Sequence, residues 1–186
     1  MTRLTLHTAD SAPEASRPLI ERVIANNGFL PNLIAALSNA PVALETYLTV
    51  SEINSRASLT LAEREVVQIT AATVHGCDFC VAGHSAIALK KAGFDGAAVV
   101  ALQRGQPTGH ARHDAIAAFA RAVIATRGAV SDGDLASFKA AGFTDAQVLE
   151  VILGVSLATL CNFANSLAQS PINPQLEAFR PGVLQP

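Results

Sequence analysis

Glycine and proline divide this 186-residue chain at intervals of one helix length, and no segment between them alternates apolar and polar residues with period two. Alanine and leucine dominate the intervals. That punctuation leaves an all-α fold and excludes a sheet. Ser16-Arg17-Pro18 opens a helix that Gly28 closes, and Pro31-Asn32 opens a short one to Leu37. Pro41 opens another to about Arg56. Thr60-Leu61-Ala62-Glu63 is a capping box heading a helix to about Val74. The next helix begins near Cys77 and stops at Lys90-Lys91-Ala92-Gly93, where cations in the last turn precede a glycine. Asp95 caps a helix to Gln103. Further helices are predicted over Ala111 to Thr126 and Ser131 to Ala141, and a long one, headed by the capping box Thr144 to Gln147, runs to about Ala168. Residues 171–186 read as a Pro-rich tail with no room for a helix.

This length suits one domain with a sizeable core, or two small subdomains sharing one. Half the residues are hydrophobic and only 15% are charged, a surface poor in charge for a monomer, so a homo-oligomer is expected. The net charge of −2, without any basic block, disfavours nucleic acid as a partner. No apolar run reaches the roughly eighteen residues of a membrane span, and the N-terminus lacks a signal-peptide core. Val148 to Leu160 comes nearest and reads as a buried helix. The expectation is a cytoplasmic protein that does not engage a membrane.

The chemistry concentrates in twenty residues: Glu65, Cys77-Asp78-Phe79-Cys80 and His84. In a reducing compartment a Cys-x-x-Cys pair is redox-active or half of a metal site. Zinc needs four ligands. His75 and His84 are local candidates, but no second cysteine pair exists, so redox use is favoured over zinc and over a purely structural pair. In the first turn of a helix both thiols meet amide N–H groups and the positive end of the macrodipole, which stabilise a thiolate. His84, one turn beyond Cys80, shares their face and can take a thiol proton or stabilise its anion. Glu65 is harder to place. One straight helix would put it ~18 Å from Cys77 and on another face. A break at His75-Gly76 would fold the cysteine helix back across the Glu65 helix, and an enclosed carboxylate could then act as a general acid or base. The alternative is a solvated face formed by Glu63, Arg64 and Glu65.

A shift of 85 residues carries Glu65, Cys77, Cys80 and His84 onto Glu150, Asn162, Asn165 and Gln169, behind a second Thr-led capping box. The chain is therefore read as two related helical units. The catalytic one spans about 60–93 and the degenerate one about 144–169. Asn162 and Asn165, if buried, need partners and would tie the second unit to the cysteine helix. Cys161 reads as a small buried hydrophobe. His110 and His113 read as solvated residues flanking the loop from Arg104 to Gly109.

Glu65-x11-Cys77-x2-Cys80-x3-His84 on consecutive helices resembles the alkylhydroperoxidase D / carboxymuconolactone decarboxylase-like superfamily, in its peroxidase-related branch. Gly28 to Asn32 and Asn162 to Asn165 resemble the family's entry segment and its C-terminal helix. The resemblance implies an AhpD-like helical fold assembling as a trimer or hexamer. It also implies a thiol peroxidase or a peroxiredoxin-linked reductase. By matching position Cys80 would be the peroxidatic thiol, Cys77 the resolving thiol, and His84 and Glu65 the proton relay. One position departs from the pattern. Phe79 stands where the best-characterised members carry a histidine between the cysteines, and His75 is the nearby candidate to replace it. The decarboxylase branch typically lacks the cysteine pair, so lactone decarboxylation is not expected.

The reading that follows is an oxidoreductase that reduces organic or hydrogen peroxide. Deprotonated Cys80 would be oxidised to a sulfenic acid, and Cys77 would condense with it to a disulfide. A lipoamide-like or thioredoxin-like dithiol would then restore the pair, without metal, haem or flavin. The alternatives are a disulfide oxidoreductase acting on a partner such as a peroxiredoxin, and a redox-sensing module without turnover.

Overall fold

The computed structural model describes residues 2–185. Nine α-helices follow one another among them: α1 (Arg17–Asn27), α2 (Asn32–Leu37), α3 (Pro41–Ser55), α4 (Leu61–Val74), α5 (Asp78–Lys91), α6 (Gly96–Gln103), α7 (Ala111–Thr126), α8 (Asp132–Ala140) and α9 (Asp145–Ala168). No strand occurs among the described residues. The helix ends fall within a residue or so of the stop and start signals, because those signals are local hydrogen-bonding chemistry. Thr60 and Thr144 both head complete capping boxes, each accepting from the backbone N–H three residues on.

The tail is the exception. Pro174–Phe179 forms a 3-10 turn where no helix was expected. Its hold is tertiary and so leaves no periodic pattern: Asn173 Oδ1 accepts from Asn32 N–H at 2.8 Å, and the Gln103 amide donates to Phe179 O at 2.9 Å. This turn packs along α5.

α4 is the central element. Its middle, from Glu65 to Ala72, is buried throughout, against α5 on one side and α7 and α9 on others. α9 comes close at Gly154, where a Cβ would come within 2.9 Å of Val67 Cγ1. The Gln68 amide donates to Gly154 O at 2.9 Å across the same contact. One apolar cluster joins α4 to α6, α7, α8 and α9 through Val67, Ile116, Phe119, Phe138 and Val151. A second joins α1, α2 and α3 to the cysteine segment through Ile20, Ile34, Leu44, Phe79 and Cys161. The candidate site lies in this second cluster.

α9 is long and apolar enough to cross a membrane by length and composition; half of its most apolar window is buried inside the fold, while Leu149 and Ile152 are exposed, so the segment is only in part the buried helix expected of Val148 to Leu160. The two segments read as related units differ in one respect. Residues 61–91 break into two helices, whereas Asp145–Ala168 runs unbroken.

Candidate active site

α4 ends in a Schellman turn. Gly76 N–H donates to Thr73 O, and Cys77 N–H donates to Ala72 O at 2.9 Å, with Gly76 in the left-handed region at φ +68°. Glycine tolerates that conformation, and the chain reverses there. Cys77 then serves as the N-cap of α5, its Sγ accepting from the Cys80 N–H at 3.4 Å. One turn thus ends the acid-bearing helix and starts the thiol-bearing one.

The reversal brings Glu65 to His84. His84 Nδ1–H donates to Glu65 Oε2 at 2.8 Å, with the two side chains 27% and 7% exposed. Glu63 is buried too and pairs with Arg112 at 2.8 Å, so the 63–65 segment is not a solvated face. Burial alone would pull the His84 pKa down. The Glu65 carboxylate outweighs it through charge and hydrogen bond, and the net result is a pKa above the ordinary histidine value.

Cys77 and Cys80 are free thiols, 2% and 4% exposed. The Cys77 thiol falls to about 7, chiefly through a hydrogen bond from the Cys80 thiol, with further help from the Cys80 backbone N–H and Asn165 against the opposing effect of burial. Cys80 moves the other way, well above the ordinary thiol range, because it donates to Cys77 and is buried. The pair therefore gives up one proton readily and shares the second. The charge rests on Cys77, while Cys80 faces a cleft of about 430 Å³.

α9 closes the site from behind. Asn165 Nδ2 donates to Cys77 Sγ at 3.7 Å, and Asn162 accepts from His75 Nδ1–H at 2.9 Å while also hydrogen-bonding Cys80. Both asparagines are buried, so they tie α9 to the cysteine helix as their positions suggested. His75 does not reach the thiols directly. It reaches them through Asn162.

Tyr47 on α3 escaped the sequence reading, and so did the orientation of Cys161 on α9. Both line the cleft with Cys80 and His84. Burial drives both groups well above their ordinary pKa values. Cys161 is buried as expected but is not mere packing, since it faces the same cavity as Cys80. The usable signal for Tyr47 was its being the only tyrosine in the chain. His110 is exposed, as expected, but His113 is half-buried. Their rings stack at 4.0 Å, and burial together with the neighbouring His110 lowers the pKa of the half-buried His113. Both lie outside the site. Among the described residues no group of three or more His, Cys, Asp or Glu is arranged to hold a metal ion.

Residues 41–106 match the model of the carboxymuconolactone decarboxylase family. No curated protein matches the chain. The fold is shared with a peroxidase-related protein from Ralstonia eutropha JMP134 described as an alkylhydroperoxidase AhpD core, at TM-score 0.84 and 20% identity over 96% of this chain and 95% of that one. A peroxidase-related protein from Silicibacter sp. TM1040 follows at TM-score 0.81 and 20% identity over 96% of both chains. The debrominase Bmp8 shares the fold at TM-score 0.76 and 18% identity, again over 96% of both chains. The chain is thus similar to the carboxymuconolactone decarboxylase family from α3 to α6, and along nearly its whole length it has the fold of the AhpD core.

Proposed function

We propose that the protein is a cysteine-based peroxidase that reduces organic or hydrogen peroxide. A peroxidase-related role is the coarse reading that its superfamily supports. The finer mechanism rests on one observation: Cys80 and His84 share the wall of a cleft, with Glu65 hydrogen-bonded to His84 and the anionic partner thiol, Cys77, directly behind.

In this mechanism the Cys77 thiolate takes the Cys80 proton as a peroxide enters, so the nucleophile forms at the sulfur that faces the substrate. Cys80 attacks the near peroxide oxygen and the O–O bond breaks. Cys80 becomes a sulfenic acid, and the leaving alkoxide takes a proton from His84, which Glu65 keeps charged. Cys77 then attacks the Cys80 sulfur, forming the disulfide and releasing water. Two thiols and one peroxide yield one disulfide, one alcohol and one water. An external dithiol, lipoamide-like or thioredoxin-like, or one carried by a peroxiredoxin, returns the two electrons by exchange. A reducing cytoplasm and a homo-oligomeric assembly suit this reading.

Counting thiols before and after one equivalent of cumene hydroperoxide, with mass mapping of the product, tests it. Fast loss of two thiols and a Cys77–Cys80 disulfide is the expected result. Unchanged thiols in folded protein would reject peroxide as substrate. The pair would then be assayed as a disulfide oxidoreductase against a partner dithiol, where rapid exchange identifies that activity and its absence leaves a sensor without turnover. The debrominase Bmp8 is a further warning that this fold is not confined to one reaction.

A further inference from the structure

One face of α5 carries Cys80, Gly83, His84, Ile87, Lys90 and Lys91, and all six line the cleft. Their spacing of three, four, seven, ten and eleven residues makes a stripe along the helix. Ten residues separate Cys80 from Lys90, a rise of ~15 Å. The facing wall carries Phe29, Leu33, Ile34, Leu48 and Leu176, with the uncharged polar Asn26, Asn27, Ser51 and Gln175 beside them. Gly83 keeps the floor of the stripe open beneath Leu176, whose Cδ1 lies 4.0 Å from where a Cβ would stand. The cleft is thus a channel with a thiol at one end and two ammonium groups at the other.

The charges around it have one sign. Among the described residues, Lys90 and Lys91 are the only ionised side chains lining this cleft apart from His84, and no carboxylate lines it. Neither lysine forms an ion pair among the described residues, and the Lys90 ammonium lies 4.7 Å from the centroid of the Phe179 ring. Cations in a last helical turn complement the macrodipole, which accounts for their sign. It does not account for both of them opening onto the same channel.

We infer that the cleft selects an amphiphilic carboxylate: an acyl chain lies along the α5 stripe, its anionic head at Lys90 and Lys91 and its distal carbons toward Cys80. This rests on the reading of Cys80 as the thiol that meets substrate, and under that reading the preferred peroxide is an acyl hydroperoxide bearing a free carboxylate. The cavity volume falls within the range of small-molecule sites. Exposed ion pairs contribute modestly, ~0.2–1 kcal/mol each, so the two lysines together should be worth about fivefold in affinity.

Binding of decanoate and of decanol to reduced protein, followed on ¹⁵N-labelled chain, tests the site whatever the thiols do. Decanoate should bind several-fold tighter than decanol, with amide shifts clustered at Leu48, Gly83 and Ile87. The pair Lys90→Gln and Lys91→Gln should erase that preference, and the pair Lys90→Glu and Lys91→Glu should transfer it to decylammonium, a gain that a misfolded variant would not show. Equal affinity for decanoate and decanol, shifts elsewhere on the surface, or no reversal by the glutamates would overturn the inference. Linoleic acid hydroperoxide should also oxidise the thiols several-fold faster than its methyl ester. If both oxidise equally the carboxylate site is rejected while the peroxidase stands. If decanoate binds as described and no peroxide oxidises the thiols, the site stands and the peroxidase is rejected.

Discussion

Glu65 and His84 are nineteen positions apart in the chain, yet a carboxylate oxygen of one and a ring nitrogen of the other are 2.8 Å apart. The acid lies in the buried middle of α4, and the imidazole, partly exposed, lies on the cleft. Replacing Glu65 with Gln removes the charge that holds the ring protonated. The His84 pKa should fall, as read by imidazole NMR titration, and peroxide kcat/KM at neutral pH should drop about 100-fold, a typical loss for general acid catalysis. An unchanged titration would break the link between the two residues.

The thiol pair should titrate unequally. Reduced protein should show one thiolate absorbance step near the value of about 7 that the structure gives Cys77. Cys77→Ser should abolish that step. The same variant, treated with peroxide, should trap a sulfenic acid at Cys80 that a dimedone probe labels. Labelling at Cys161 instead, or none at all, would overturn the assignment of Cys80 as the peroxidatic thiol.

Stability should follow pH with two opposite signs. Cys77 has a depressed folded-state pKa, so its contribution is complete above the ordinary thiol value of 9.0 and fades as pH falls through about 7. His84 has a raised pKa, so its contribution is complete below the ordinary 6.5 and fades as pH rises through its folded value. Denaturant titrations of reduced wild type and of Cys77→Ser across pH 6 to 9 separate the two. The gain in stability toward pH 9 should vanish in the variant.

At Gly154 α9 lies close against α4, and a Cβ there would press on Val67. Gly154→Val should cost about 1–3 kcal/mol in urea unfolding, as overpacking of a filled core does. Glu150 offers a contrasting test. Its carboxylate accepts from Ser58 N–H, Ser58 Oγ–H and Leu59 N–H, all at 2.8–3.0 Å. Glu150→Ala should cost about 1–2 kcal/mol by leaving these donors to water, with the thiol titration unmoved.

Much of the fold was legible because its boundaries are short-range. A capping hydroxyl, a proline at a first turn or a glycine at positive φ acts within a few residues, and each is visible in the sequence. The thiols and His84 were legible for the same reason, since they sit on one helix. Glu65 required a guess about the reversal at His75-Gly76, which the Schellman turn supplies. Tyr47, and the orientation of Cys161 toward the cleft, were not legible. They approach Cys80 from other helices, and no spacing in the chain encodes that approach. The 3-10 turn in the tail was missed likewise, because Asn32 and Gln103 hold it from far away.

The Schellman turn has a consequence for which changes the chain tolerates. Because α4 and α5 meet at a turn without slack, every residue on either helix sits at a fixed count from Gly76. Removing one residue between Gly76 and His84 would rotate the ring about 100° around the helix axis and shift it ~1.5 Å along it, leaving both helices intact and the Glu65 contact broken. Between 65 and 84 a change of length should therefore be as damaging as the loss of a reacting side chain. The loop from Arg104 to Gly109, which connects α6 to α7 away from the cleft, is free to grow or shrink.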